Sequence, residues 1–138
     1  MKQGFVKVAS ATPRIRVADP VYNAQVICEQ AKEAAEHGAK IVVFPELCIT
    51  GYTCNDLFLQ ELLLEKAKEA LLTIAEETGQ LETLFLVGLP VDKDGRLYNV
   101  AAVLYRGRIL GMIPKKNIPM YAEFYEGRHF TPDRKSVV

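Results

Sequence analysis

Hydrophobic and polar positions alternate along Gly4 to Ala11 (GFVKVASA), where Phe5, Val6 and Val8 stand among small and polar residues, and that period predicts a strand. Asp19-Pro20 then reads as a helix start, because Asp can cap the first turn and Pro at the first position gives up an N–H that had no partner. From Val21 to His37 a helical repeat puts Val26, Ile27, Ala31, Ala34 and Ala35 on one face, and Gly38 ends it. Ala39 to Phe44 (AKIVVF) is short, apolar and β-branched, the pattern of a strand buried on both faces. Pro45 to Asp56 has turn chemistry. Leu57 to Thr78 is helical again, with a stripe of Leu62, Leu63, Ala67, Ala70, Leu71, Ile74 and Ala75 closed by Gly79. Thr83 to Val91, Tyr98 to Tyr105 and Arg108 to Ile113 then read as strands, joined by turns at Asp94-Gly95 and Arg106-Gly107. The order β-α-β-α followed by a meander predicts a mixed sheet layered against helices, an α/β fold.

Composition changes this picture little. A hydrophobic fraction of 49% and a charged fraction of 25% describe a folding chain, and 17 basic residues balance 17 acidic ones. No global charge therefore invites nucleic acid, no apolar run reaches the length of a membrane span, and no signal-peptide pattern opens the chain. Cys28, Cys48 and Cys54 are odd in number without C-x-x-C spacing, and His37 and His129 are unpaired, so neither a disulfide framework nor a metal site is expected. A cytoplasmic location is the expectation.

Four groups could carry chemistry. Glu46 follows the apolar strand and Pro45, at the strand end where open α/β sheets place functional side chains, although a surface glutamate would look the same. Lys115 lies just past the strand RILGMIP, and Lys-Lys pairs on loops are commonly solvated. Glu123 and Glu126 flank Phe124-Tyr125, near Tyr121 and Phe130, a mixture that builds pockets and also covers cores. Cys48 would share a side with Glu46 in an extended segment, but Leu47 and Ile49 around it favour an inert, buried thiol.

Together these segments resemble a known family. FPELCITGY (Phe44 to Tyr52) is similar to the first signature of the nitrilase superfamily of carbon–nitrogen hydrolases, and PKKNIPMYAEFYEGRHF (Pro114 to Phe130) is similar to the second. Within it, GYTCNDLFLQ and the Tyr-x-Glu-Phe-Tyr-Glu run most resemble the glutaminase domains of glutamine-dependent NAD synthetases, over residues 1–132. The resemblance implies the N-terminal part of an α-β-β-α sandwich, incomplete as it stands. It implies a Glu–Lys–Cys triad in which Glu46 is the catalytic glutamate, Lys115 the lysine and Glu123 a supporting glutamate, with Tyr52 and Tyr121 lining a glutamine pocket. In that chemistry the glutamate takes the thiol proton and passes it to departing ammonia, while the lysine donates to the tetrahedral oxyanion.

The family cysteine follows the lysine after another strand, and no cysteine follows Lys115 here. The nucleophile is therefore expected outside this chain, together with a C-terminal synthetase domain that uses ATP and Mg to amidate deamido-NAD. A homo-oligomer is expected of the full enzyme. Residues 133–138 (DRKSVV) match the translation of a common short-read sequencing adapter and are expected to be a non-native tail. Two other readings stay open: part of a stand-alone nitrilase-type amidase, or a non-catalytic partner of a full-length subunit.

Overall fold

Asp19 and Pro20 begin the first helix as the sequence requires. The Asp19 carboxylate accepts the Tyr22 N–H at 3.2 Å, and Pro20 occupies the first turn of α1 (Pro20–Glu36). Such a cap is worth about 1 kcal/mol. In the computed structural model, which describes residues 4–118 and 126–132, α1 connects β1 (Val8–Ser10) to β2 (Ile41–Val43). A second helix, α2 (Glu61–Glu77), connects β2 to β3 (Leu84–Lys93), and β4 (Arg96–Tyr105) and β5 (Arg108–Pro114) follow.

The strands form one sheet in the order β1-β2-β3-β4-β5, the first two pairings parallel and the last two antiparallel. Each parallel crossover adds its strand on the same side of the previous one, so crossovers of one hand put both helices on one face. There α1 and α2 pack on each other and on Val42, Phe85, Val87, Leu89, Val100, Ala102 and Leu104. Both hairpins turn through left-handed pairs, Asp94-Gly95 (φ 54° and 73°) and Arg106-Gly107 (φ 50° and 80°), whose twist matches that of the strands.

Three expectations change. The strand at 39–44 is not buried on both faces: Val42 is fully buried, but Val43 keeps 45% of its surface, because no described element covers that side. The helix expected over 57–78 is broken. Asn55–Leu59 forms a 3₁₀ turn and Gln60 is extended (ψ 122°), so α2 starts at Glu61. Tertiary packing overrides the helical pattern there, drawing Phe58 edge-on to Phe130 at 4.9 Å in a second apolar cluster with Leu47, Cys54, Leu63 and Leu97. Leu62, expected in the stripe, consequently lies outside, 68% exposed. On α1 the inner face is Asn23, Ala24, Ile27, Cys28 and Ala31, while Val26 and Ala35 are only half-buried.

Candidate functional site

Past β2 the chain turns sharply over the sheet face opposite the helices. Leu47, fully buried, has φ 54°, a left-handed conformation that costs a leucine about 1–2 kcal/mol. Its carbonyl accepts the N–H groups of Gly51 at 2.7 Å and Thr50 at 3.2 Å, which hold the turn. The turn can approach β3 this closely only because residue 88 is glycine. A Cβ there would stand 2.4 Å from the Leu47 nitrogen and 3.0 Å from the Pro45 oxygen. This crossing brings Glu46 within hydrogen-bond reach of β4, its side chain 41% exposed.

Lys115 leaves the end of β5, where its backbone N–H donates to the Asn99 carbonyl at 2.8 Å. Its ammonium donates to Glu46 Oε1 at 2.6 Å and to Glu126 Oε1 and Oε2 at 2.9 and 3.1 Å. Glu126 opens a short 3₁₀ turn (Glu126–Arg128), and its side chain is 5% exposed. The Tyr52 hydroxyl donates to Glu126 Oε1 at 2.6 Å. The Asn99 amide, on the middle of β4, donates to Glu46 Oε1 at 2.6 Å and, at greater length, to Glu126 Oε2 at 3.4 Å. One ammonium and two carboxylates thus share a half-dry site, in which the Tyr52 hydroxyl and the Asn99 amide add neutral donors.

Burial alone would lower the Lys115 pKa. The hydrogen bonds it donates to Glu46 and Glu126, and the charges of those carboxylates, outweigh it and hold the ammonium above its ordinary value. A charged donor and a partly open carboxylate can stabilise an oxyanion and accept a proton on one side of a reacting carbonyl.

The three cysteines add no nucleophile to this arrangement. Cys48 is fully buried in the helix-side core, and because Leu47 reverses the chain, it does not share a side with Glu46 as an extended segment would require. Burial pushes its thiol up to about 12 against weaker opposing hydrogen bonds, one of them to the Gly88 carbonyl at 3.7 Å. Burial, then the charge of Glu77, also pushes Cys28 up to about 12, and burial raises Cys54. A protonated, enclosed thiol is a poor attacking group.

Of the residues singled out from sequence, Glu46, Lys115 and Tyr52 meet in one cluster. Glu123, Tyr121 and the tail 133–138 lie outside the described residues. Sequence reasoning assigned no role to two members. Glu126 was visible as a carboxylate in an aromatic run, but only the fold sets it beneath Lys115. Asn99 carried a weak signal, a lone amide in the apolar strand LYNVAAVLY. Beside the cluster, Tyr52, Phe58, Glu126, Arg128, His129 and Phe130 help line a cavity of about 330 Å³, with His129 Nε2 3.1 Å from the Asp56 carboxylate at its rim. Among the described residues no group of three or more His, Cys, Asp or Glu is placed to hold a metal, and no helix is long and apolar enough to cross a membrane.

Comparison with known proteins identifies the family. The carbon–nitrogen hydrolase family profile matches residues 7–137. The glutamine-dependent NAD(+) synthetase of Mycobacterium tuberculosis (strain ATCC 25618 / H37Rv) is 40% identical over 131 residues, which are 95% of this chain and 19% of that protein. The crystal structure of a glutamine-dependent NAD(+) synthetase from Cytophaga hutchinsonii superposes with a TM-score of 0.87 at 31% identity, covering 92% of this chain and 22% of that one. A similar enzyme from Acinetobacter baumannii, solved with adenosine diphosphate, gives 0.85 at 30% identity, covering 94% and 24%. The chain therefore spans about a fifth to a quarter of these synthetases' length. On the family match and the mycobacterial likeness, the chain belongs to the carbon–nitrogen hydrolase family.

Proposed function

We propose that this chain is the N-terminal part of a glutamine amidohydrolase domain that supplies ammonia for ATP-dependent conversion of deamido-NAD to NAD. The observation that carries the reading is the ammonium of Lys115 held between Glu46 and Glu126 at two converging strand ends, in a chain 40% identical to a glutamine-dependent NAD(+) synthetase. In this reading Glu46 takes the proton of a cysteine thiol that lies outside these residues, and later delivers it to ammonia. Lys115 donates to the oxyanion formed as the thiolate attacks the side-chain amide of glutamine. Glu126 keeps Lys115 charged and aimed, with Glu123 a second candidate for that role. Tyr52, at the wall of the cavity, and Tyr121 line the glutamine pocket. The open face around Val43 fits a sandwich whose second sheet comes from further sequence, and residues 133–138 are read as a non-native tail. ATP and Mg would serve a synthetase domain, and the full enzyme would be a cytoplasmic homo-oligomer.

The test replaces the matching 131 residues of the mycobacterial relative with this chain's and compares NAD synthesis from glutamine with synthesis from free ammonia. Glu46→Gln and Lys115→Met should abolish the glutamine-dependent rate and spare the ammonia-dependent one. Undiminished glutamine use by either variant sinks the reading. The 138-residue chain alone should release no ammonia from glutamine, since its described cysteines are enclosed.

A further inference from the structure

Glu46 is held asymmetrically. Its Oε1 accepts two hydrogen bonds of 2.6 Å, one from the Lys115 ammonium and one from the Asn99 amide. Among the described residues no hydrogen bond reaches its Oε2. Asn99 is 3% exposed and stands opposite Pro90 in the middle of the sheet, so it cannot swing away as a surface side chain would. Its amide orientation is forced by chemistry. Two carboxylates face it, and only the NH₂ end can meet them, since the oxygen end would set acceptor against acceptor.

The same residue also fixes Lys115, whose backbone N–H ends on the Asn99 carbonyl at 2.8 Å. Asn99 is thus bonded to each of the three charged residues, with a side chain that adds no charge of its own. An aspartate there would place a third carboxylate beside one ammonium. An apolar residue would leave Lys115 alone to orient Glu46, and the ammonium is shared with Glu126.

We propose that Asn99 is a positioning residue that pins Glu46 by Oε1 and so leaves Oε2 as the oxygen that takes the nucleophile's proton. This rests on the reading of Glu46 as proton acceptor. The proton moves from the thiol sulfur to Oε2, leaving a thiolate, while Oε1 keeps both donors throughout.

Two measurements test it. In ¹H–¹⁵N spectra of the 138-residue chain, the Asn99 side-chain amide is assigned by its loss in Asn99→Leu or Asn99→Asp. One of its protons should lie downfield and exchange about tenfold more slowly than in an exposed asparagine, the factor a net hydrogen bond supplies. Glu46→Gln should shift that proton upfield and speed its exchange more than Glu126→Gln does, because the Glu126 contact is longer. A larger effect from Glu126→Gln, or no slow proton, overturns the assignment. In the mycobacterial chimaera, Asn99→Leu should lower kcat for glutamine by roughly ten- to a hundredfold, the scale of a misplaced catalytic group, and leave KM unchanged. A change confined to KM, or none, overturns the positioning role. If Glu46→Gln leaves glutamine use intact, the base reading fails, yet the amide spectra still report whether Asn99 holds Glu46.

Discussion

Replacing Gly88 by alanine tests the construction of the site without any need for turnover. Gly88 has no positive φ, so its backbone would accept alanine, and in open surroundings the change would stabilise the chain by about 0.4–1 kcal/mol through the unfolded state. Here the new Cβ would lie 2.4 Å from the Leu47 nitrogen, 3.0 Å from the Pro45 oxygen and 3.1 Å from the Glu46 carbonyl carbon. All three are backbone atoms, so no side chain can rotate clear. The turn would have to lift by about 1 Å to restore ordinary contact. It is tied on either side, by Phe44 N–H to the Leu86 carbonyl at 2.9 Å and by Ile49 N–H to the Gly88 carbonyl at 3.1 Å. Overpacking costs about 1–3 kcal/mol and a strained or lost hydrogen bond about 1 more, so a loss of roughly 2–4 kcal/mol is expected. Urea unfolding followed by far-ultraviolet circular dichroism should show a midpoint lower by about 1–2 M with an unchanged slope. A midpoint equal to or above that of the parent would refute the claim that the turn bears on β3 at this glycine.

Three further outcomes follow from buried groups. Asn23, fully buried, donates to the Ile49 and Arg16 carbonyls at 2.9 and 2.8 Å and accepts the Arg16 N–H at 2.7 Å, so Asn23→Ala should cost about 2–3 kcal/mol in the same unfolding assay; a loss below half a kilocalorie would show that water replaces the amide. Thiol reagents should label Cys28, Cys48 and Cys54 slowly in the folded chain at neutral pH and rapidly in denaturant, and one fast-labelling cysteine in the folded chain would contradict their enclosure. Because burial raises the folded Cys48 pKa from 9.0 to about 12, its stabilising contribution is complete below pH 9 and is lost as pH climbs toward 12, at about 1.4 kcal/mol per pH unit. Stability measured from pH 8 to 11 should therefore fall less steeply in Cys48→Ala, whatever its level at pH 8, and parallel slopes would argue against a titrating buried thiol.

How much of this could be read from the amino acids depended on the range of the forces involved. Local chemistry was legible: the Asp19-Pro20 start, the left-handed turns at Asp94-Gly95 and Arg106-Gly107, and the inner stripe of α2 from Leu63 to Ala75 all follow from neighbours in sequence. Periodicity erred where a distant partner competed for a side chain. Phe58 turns toward Phe130, and the helix expected from Leu57 breaks at Gln60 as a result. A run as apolar as AKIVVF states that burial is wanted, but not on how many faces the described chain can supply it. The site divides in the same way. Glu46 and Lys115 are marked by their places just beyond strands, and the motif resemblance pairs them. Asn99 and Glu126 are not marked, because their importance arises only when β4 and the turn at Glu126 meet beneath Lys115.

That convergence also explains why the cluster can hold its shape beside an open sheet face. Each charged group is tied to backbone that other interactions already fix. Glu46 rides on a turn set by Gly88 and Leu47, Lys115 on the Asn99 carbonyl, and Glu126 on a turn closed by the N–H groups of His129 and Phe130 at 3.0 and 2.8 Å. The next residue, Thr131, donates its N–H to the Leu97 carbonyl at 2.7 Å, so the segment bearing Glu126 is bonded directly to β4, the strand that carries Asn99. Preorganisation of this kind does not draw on the uncovered face around Val43, Val8 and Ile113, because the site is braced from β3, β4 and the second apolar cluster instead. Glu46, Lys115, Glu126 and Asn99 therefore form one braced, hydrogen-bonded unit whose geometry is set by the strands and turns that carry it.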